Sequence, residues 1–287
     1  MIIAIVLILV AVGSVVFHFL SPWWWTPIAS NWGYIDDTII ITFWVTGIVF
    51  VAVILFTAYC VIRFRYKEGG RAFYEPENAK LEWWLTISTA IGVAVMLTPG
   101  LFVWNQYVSV PEGAAEFEVV GQQWQWTYRF PGKDGLLGKS EVRNISDDNP
   151  FGIDLDDANG RDDILIEDSE LHLPKGQPVK VLLRSIDVLH DFYVPEFRAK
   201  MDMVPGAITF FWFTPTRNGT FDILCFELCG VGHHVMRGSV VVEEECPSSK
   251  HSGLLSLFLN GGSGSSWFDV KPLVVDGSSG VFERSVF

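Results

Sequence analysis

Twelve consecutive residues, from Cys225 to Met236, carry the strongest candidate for metal chemistry in the sequence. The run CFELCGVGHHVM holds two cysteines, two histidines and a methionine. Thiolates, imidazoles and thioethers are soft ligands, and this set suits copper rather than magnesium, calcium or manganese. Gly230 and Gly232 allow the backbone to fold back, so that His233 and Met236 can face the same point as the two sulfur atoms. The spacing therefore predicts a copper site.

A further histidine lies 35 positions before Cys225. His190 ends the segment Asp-Val-Leu-His, which begins at Asp187 and is followed by apolar residues typical of a strand. An isolated histidine in such a segment is more often structural than ligating. The cysteine motif downstream favours ligation, because a site that holds two metal ions needs one more ligand than the run from 225 to 236 supplies.

The same atoms allow three other kinds of site. A mononuclear blue-copper site uses one cysteine, two histidines and a methionine, which leaves Cys229 surplus. A structural zinc site with two cysteines and two histidines leaves Met236 without a role. A disulfide between Cys225 and Cys229, which an oxidising compartment permits, leaves both histidines unexplained. Each of the three leaves at least one of these residues unexplained.

The ligand-bearing segments lie in a region whose pattern indicates strands. After Trp104 the sequence changes to short alternating runs that are rich in β-branched or aromatic residues and are bounded by Gly, Pro or Asn. The predicted strands include 117–120, 124–130, 179–184, 208–214, 220–224 and 239–243. They predict an antiparallel all-β sandwich or barrel over residues 106–245.

Before this region the chain is strongly apolar. Residues 39–62 and 83–104 contain no charged side chain, and each run is long enough to cross a hydrocarbon core of roughly 30 Å as a helix. We predict a transmembrane helical hairpin over 39–105. Residues 1–20 lack the positively charged start of a signal peptide, so we expect a third, N-terminal helix there, with a signal segment as the alternative.

The distribution of charge sets the topology and excludes some functions. All five basic residues of the first 105 lie between the two spans, which places that loop in the cytoplasm and residues 106–287 on the outer face. Those outer residues carry 15 basic and 27 acidic side chains, and the whole chain has a net charge of −13. A nucleic-acid partner is therefore unfavourable, whereas a basic protein partner is plausible. Low charge (18%) and a high apolar content (49%) exclude a disordered chain.

The ligand pattern resembles a known family. The spacing Cys-x-Glu-x-Cys-x-x-x-His-x-x-Met, the upstream Asp-x-x-His and the aromatic run GQQWQW at 121–126 are similar to subunit II of the haem-copper cytochrome c oxidases, which carries the dinuclear copper centre CuA. The resemblance covers residues from about 35 to 245. It implies a cupredoxin-like Greek-key sandwich behind the membrane hairpin.

The resemblance also implies roles for single residues. The copper ligands would be His190, Cys225, the backbone carbonyl of Glu227, Cys229, His233 and Met236. Asp187 would support His190, and Trp124 would be the surface aromatic through which electrons enter. The side chain of Glu227 would reach a magnesium or manganese ion at the contact with subunit I. Glu82 would open a proton-uptake path, although Leu85 stands where the family usually has tryptophan, so the local packing is in doubt.

As a member of such an oxidase, the chain would accept electrons from cytochrome c and pass them to haem in subunit I. It would lie beside subunit III in a bacterial plasma membrane or a mitochondrial inner membrane. No Cys-x-x-Cys-His occurs, so we expect no covalent haem in this chain. A CuA subunit of a nitric oxide reductase and a membrane-anchored, thioredoxin-like copper chaperone remain alternatives. We expect the acidic residues of 141–170 to form a surface loop, and residues 246–287 an extended tail.

Overall fold

The structure is a computed structural model, and it describes residues 2–21, 26–71, 74–146, 149–166 and 170–244. The predicted tail at 246–287 lies outside the described residues, as do residues 147, 148 and 167–169 of the acidic segment. The chain divides into two compact units. The first is formed by residues up to 26 and by 33–105, and the second by 27–32 and the residues from 106 onward.

Three long apolar helices dominate the first unit. Helix α1 spans Ile2–Leu20, α2 spans Gly33–Arg63, and α3 begins at Ala79 and ends at Val108. Each is long and apolar enough to cross a membrane, because at 1.5 Å per residue even the 19 residues of α1 extend about 29 Å. The start of α3 is capped by Asn78, whose side-chain oxygen accepts a hydrogen bond from the backbone N–H of Leu81 at 3.1 Å. The three predicted apolar helices are confirmed.

The second unit is a sandwich of two five-stranded sheets within the described residues. The strands are β1 (Ala115–Gln122), β2 (Gln125–Phe130), β3 (Ile164–Ile166), β4 (Glu170–Pro174), β5 (Val179–Ser185), β6 (His190–Val194), β7 (Ala199–Met203), β8 (Thr209–Phe213), β9 (Gly219–Cys225) and β10 (Arg237–Glu243). One sheet has the order β3-β2-β1-β5-β8 and the other β4-β10-β9-β6-β7. The predicted fold class, apolar helices followed by an all-β sandwich, is confirmed.

The expectation that every strand pair is antiparallel is wrong in two places. Strands β1 and β5 are parallel, with Ala115 opposite Val179, and β4 and β10 are parallel, with Ser239 opposite Glu170. In each pair the chain visits the other sheet before it returns, and a strand that returns by such a crossover can align with its partner in the same direction. Alternating sequence patterns identify strands but contain no information on this pairing.

The core lies between the sheets, and in β5 and β9 its residues alternate with more exposed ones. Along β5 the residues Val179, Val181 and Leu183 are fully buried, whereas the residues between them are partly exposed. The same alternation in β9 buries Phe221, Ile223 and Cys225. Because side chains of a strand point to opposite faces in turn, the hydrophobic pattern of β9 itself places Cys225 on the inner face. The core therefore positions one candidate ligand.

The segment between α1 and α2 belongs to the sandwich, which the sequence did not predict. The backbone N–H of Ala29 donates to the carbonyl of Glu196 at 2.7 Å, and that of Thr216 donates to the carbonyl of Ala29 at 2.8 Å. The buried indole of Trp32 donates to the carbonyl of Trp212 at 2.8 Å. Residues 27–32 thus form a strap that is bound to the β domain.

Part of the predicted acidic surface loop is buried. Asp163 is only 4% exposed, and it accepts hydrogen bonds from the guanidinium of Arg129, which is 1% exposed on β2. Arg129 also contacts the carboxylate of Glu118 at 3.0 Å, the Ser140 hydroxyl at 2.6 Å and the Gly138 carbonyl at 2.7 Å. The expectation of a wholly solvated loop is wrong at Asp163, since the chain between β2 and β3 folds over this arginine.

Candidate metal centre

Two loops bring the candidate ligands together at one end of the sandwich. His190 is the first residue of β6, after the loop from β5, and the other ligands lie at the end of β9 and in the loop to β10. Strands β6 and β9 are hydrogen-bonded neighbours, with Phe192 opposite Cys225. This register brings His190 close to residues 226–236, which we call the cysteine loop. In the sequence, His190 is 35 residues away from Cys225.

The donor atoms surround the two cysteine sulfurs. The Cys225 and Cys229 Sγ atoms are 3.7 Å apart. The His190 Nδ1 lies 3.8 Å from the Cys225 sulfur, and the backbone oxygen of Glu227 lies 3.3 Å from it. On the Cys229 side, the His233 Nδ1 is at 3.6 Å and the Met236 Sδ at 3.9 Å. All six predicted copper ligands therefore meet at one place.

Three of the candidate side chains form a compact group, and His233 lies outside it. The ligand atoms of His190, Cys225 and Cys229 lie within 4.8 Å of one another. A single tetrahedral ion with bonds of roughly 2.0–2.3 Å would require all four donors to be mutually close. Instead, two sulfurs occupy the middle and one imidazole stands at each end. The 3.7 Å between the sulfurs also excludes a disulfide in this structure, since that bond is about 2.05 Å long.

Burial and charge distinguish the two thiols. Burial alone would raise the pKa of Cys225, but hydrogen bonds from His190 and from backbone groups outweigh it and lower this pKa to about 6. Burial raises the pKa of Cys229 to about 11, and the neighbouring Cys225 sulfur adds to this effect. Since the thiolate is the metal-binding form, at least one of these two neighbouring thiols must lose its proton when both bind metal.

Asp187 fixes the orientation of His190. Its Oδ1 lies 2.8 Å from the His190 Nε2, which leaves Nδ1 facing Cys225. The backbone N–H groups of Gln123 and Val188 each donate to the Asp187 carboxylate at 2.6 Å. Burial opposes ionisation of Asp187, but these hydrogen bonds outweigh it and lower its pKa. A carboxylate behind a ligating imidazole is the usual arrangement that fixes the ring of a metal-bound histidine.

Trp124 packs on the cysteine loop. It lies in the turn between β1 and β2, follows a cis peptide bond from Gln123, and is 36% exposed. A Cβ atom added at Gly230 would lie 3.2 Å from the Trp124 ring, and one added at Gly232 would overlap it. Gly230 also has a φ of +122°, a conformation that side chains disfavour. Both glycines are thus explained by the close approach of this indole.

The remaining predicted residues lie in different places. Glu227 contributes its backbone oxygen to the cluster, and its side chain is half-buried. Glu82 belongs to the first unit and is exposed in the first turn of α3, where its carboxylate lies 3.5 Å from the backbone nitrogen of Asn78. Glu82 thus lies beside the Asn78 cap of this helix.

Two residues at the site were not singled out from the sequence. The Gln123 side-chain nitrogen donates to the backbone carbonyl of Cys229 at 2.7 Å; the only signal for it was its position beside Trp124. Asp191, next to His190, is fully buried with the Lys200 ammonium at 3.0 Å from its carboxylate. Burial raises the pKa of Asp191 to about 7. The sequence did not indicate that Asp191 is buried, because a charged residue in a strand is normally exposed.

Comparison with known proteins agrees with this geometry. A model of the periplasmic domain of cytochrome c oxidase subunit II matches residues 116–244. An alternative cytochrome c oxidase subunit 2 from Bradyrhizobium diazoefficiens is 67% identical over 245 residues, which cover 85% of this chain and 88% of the relative. The chain belongs to the cytochrome c oxidase subunit II family. This family normally binds CuA, and the His190, Cys225 and Cys229 cluster is consistent with such a site.

More distant relatives extend this result. Cytochrome c oxidase subunit 2 of Cereibacter sphaeroides is 29% identical over 230 residues, or 77% of this chain and 75% of the relative. The solved periplasmic domain of the cytochrome oxidase subunit II of Bradyrhizobium japonicum is 27% identical and covers 47% of this chain and 88% of that domain, with a TM-score of 0.34. Family membership follows from the sequence matches. With its apolar helices and its periplasmic-type domain, the chain is a membrane-anchored protein with an extracytoplasmic β domain.

Proposed function

We propose that this chain is the subunit of a haem-copper cytochrome c oxidase that receives electrons, and that it does so through a dinuclear copper centre. The observation that carries the proposal is the pair of buried thiols 3.7 Å apart with one imidazole at each end. Two such thiolates can bridge two copper ions, and soft sulfur and nitrogen donors select copper. When bound, this centre would share one electron between two metals with little change in bond lengths.

The protein residues would act on this centre in distinct ways. Cys225 and Cys229 would bridge, His190 and His233 would each hold one side, and Met236 would give a weaker thioether contact. His190 and Met236 are almost fully buried, so the protein excludes water from these two ligands, whereas His233 is partly exposed. Asp187 would hold the Nε2 proton of His190 and so keep Nδ1 directed at the metal.

Electron input is assigned to the exposed face of Trp124. Its indole is in contact with the backbone of the cysteine loop and is also reached from solvent. The acceptor would be haem in subunit I, and the donor a cytochrome c. The acidic surplus of the outer residues favours a basic donor, because complementary charge accelerates encounter. A surrounding lipid membrane and a neighbouring subunit III complete the expected assembly.

Two further roles follow the same proposal. The half-buried side chain of Glu227 would reach a magnesium or manganese ion at the contact with subunit I, since its backbone oxygen already faces the copper site. Glu82 would collect protons at the inner end of α3. Residues 1–20 would form a retained helix and residues 39–105 the transmembrane hairpin, both in a bacterial plasma membrane. Residues 106–245 would form the CuA domain, which would lie in the periplasm.

The alternatives differ in what supports them. A thioredoxin-like copper chaperone requires a βαβ pattern, whereas the described part of the second unit contains strands and three-residue 3₁₀ turns after α3. A nitric oxide reductase subunit would use the same copper site, and no feature of this chain favours it. Oxygen and nitric oxide consumption by the purified complex would separate the two enzymes.

Copper loading of the detergent-solubilised chain tests the proposal. We expect two copper ions per chain by metal analysis and an electron paramagnetic resonance spectrum in which one unpaired electron couples to both copper nuclei. A Cys229→Ser variant should lose this coupling, and a Cys60→Ser variant, altered in α2, should retain it. One copper per wild-type chain, or none, would contradict the proposed function.

A further inference from the structure

Gln123 makes two hydrogen bonds that point to different parts of the metal site. Its backbone N–H donates to the Oδ2 of Asp187 at 2.6 Å. Its side-chain Nε2 donates to the backbone carbonyl of Cys229 at 2.7 Å. One residue in the β1–β2 turn is therefore bonded both to the carboxylate that holds His190 and to the main chain of a cysteine ligand.

These bonds join two loops that have no covalent continuity near the site. Asp187 lies in the loop from β5 to β6, and Cys229 lies in the loop from β9 to β10. Through the 2.8 Å contact between Asp187 and His190, Gln123 completes a connected path from the imidazole of His190 to the backbone of Cys229. The position of one ligand is thereby linked to the position of the other without passing through a metal ion.

Three side chains of the cysteine loop are largely exposed. The side chains of Leu228 and Val231 are more than four fifths exposed, and that of Val235 is 61% exposed. Packing within the chain therefore contributes little to holding these positions. The opposite side of the loop is covered by Trp124, which leaves no room for a side chain at Gly230 or Gly232. The amide of Gln123 reaches the loop on this covered side, 2.9 Å from where a Cβ of Gly230 would lie.

We propose that Gln123 is a positioning residue that couples the two ligand loops and so maintains the distance between the His190 and Cys229 ends of the copper site. This inference rests on the proposed function, which it deepens. Loss of the side-chain bond leaves the Cys229 carbonyl without this donor and allows the loop to move. Residues that orient metal ligands typically change metal affinity by about 10- to 100-fold when replaced, and we expect a change of that size.

Copper retention measures the effect. The detergent-solubilised full chain is loaded with copper, its copper content is counted, and the rate of loss of the reduced metal to a Cu(I) chelator is followed. We expect Gln123→Leu to accelerate loss by about 10-fold or more. Gln123→Glu, which keeps the size but replaces the donor by an acceptor, should do the same. Gln125→Leu is the matched control, because Gln125 is an exposed glutamine on the same hairpin, and it should leave the rate unchanged.

A double-mutant cycle tests the coupling itself. Asp187→Ala removes the other end of the path, so Gln123→Leu should have a smaller effect in that background than in the wild type. If Gln123 only stabilised the fold, its replacement would lower stability without altering the geometry of the copper site. We therefore also expect the Gln123→Glu variant to bind two copper ions but to show an altered copper hyperfine pattern. Multiplicative effects of the two substitutions, or equal behaviour of Gln123→Leu and Gln125→Leu, would overturn the proposal.

The two proposals fail in different ways. If the wild-type chain does not retain two copper ions, the proposed function is wrong. The coupling between the two ligand loops is then tested by measuring amide hydrogen exchange in the metal-free chain. There, peptides from 226–236 should exchange faster in Gln123→Leu than in Gln125→Leu. Asp187→Ala should also accelerate exchange in this loop, which it does not contact directly. Unchanged exchange in both variants would refute the coupling independently of copper.

Discussion

Replacement of Arg129 by methionine should destabilise the β domain more than any surface charge change. The Arg129 guanidinium is 1% exposed and bonds to the buried carboxylates of Glu118 and Asp163. Methionine fills much of the same space but removes the cation. Asp163 then loses its hydrogen bonds from Arg129 and retains the one from the backbone N–H of Gly138, at 3.1 Å. Breaking a buried ion pair from one side costs about 3–5 kcal/mol, because a buried charge is left unpaired.

The loss should depend on pH in a defined direction. Burial raises the pKa of Glu118 and of Asp163, and the neighbouring guanidinium groups offset this only in part. In the folded protein, Glu118 and Asp163 therefore remain protonated at pH values where they are ionised in the unfolded chain. The free energy of unfolding decreases as the pH rises from the unfolded pKa of each carboxyl group to its folded pKa. Without Arg129 the pKa values rise further. The penalty of Arg129→Met should thus be smaller near about pH 5 than near about pH 8, since protonation removes the unpaired charge.

Denaturant unfolding of the detergent-solubilised chain, followed by tryptophan fluorescence, gives the free energy of unfolding at each pH. The matched control is Arg143→Met, since Arg143 lies in the connection that follows β2 and pairs with Glu141 but has an 80% exposed side chain. An exposed pair contributes at most about 1 kcal/mol. Equal losses for the two variants, or a loss for Arg129→Met that grows as the pH falls, would refute the reasoning.

Three further outcomes are expected in the assembled oxidase. Trp124→Gln should leave the copper spectrum intact and slow reduction by cytochrome c, measured by stopped flow; an unchanged rate would exclude electron input at this indole. Glu227→Gln should keep its copper, because ligation there uses the backbone oxygen, but should lose bound manganese by metal analysis; full retention of manganese would remove that role. Reduction by a basic cytochrome c should slow as ionic strength rises, and a flat profile would contradict electrostatic steering.

The clustering of the candidate ligands could be predicted from the sequence because local spacing determines most of their geometry. Five of the six lie within twelve residues, and a short glycine-containing loop can fold back only in a few ways. The strands could be predicted for a similar reason: alternation reports which face is buried, as in Val179, Val181 and Leu183. Both signals are carried by residues that are close together in the chain.

Features that depend on distant contacts could not be predicted in this way. The strap at 27–32 pairs with residues near 196 and 215, and nothing in its own composition distinguishes it from a loop. Asp163 appears in the sequence as one of many acidic residues, and only its contact with Arg129, 34 positions earlier, explains its burial. Gln123 likewise gains its importance from a carbonyl 106 positions away.

The register between β6 and β9 determines the geometry of the candidate metal site. Cys225 is the last residue of β9 and faces inward, and its partner across the ladder, Phe192, lies two positions after His190. A slip of one residue would turn Cys225 to the outer face, because successive side chains of a strand alternate. The ladder between β6 and β9 contains only two paired positions, and the backbone N–H of Phe226 extends it to the carbonyl of Asp191 at 3.3 Å. Antiparallel partners on both sides, β7 and β10, hold these two strands in place, so the sheet as a whole brings His190 to Cys225.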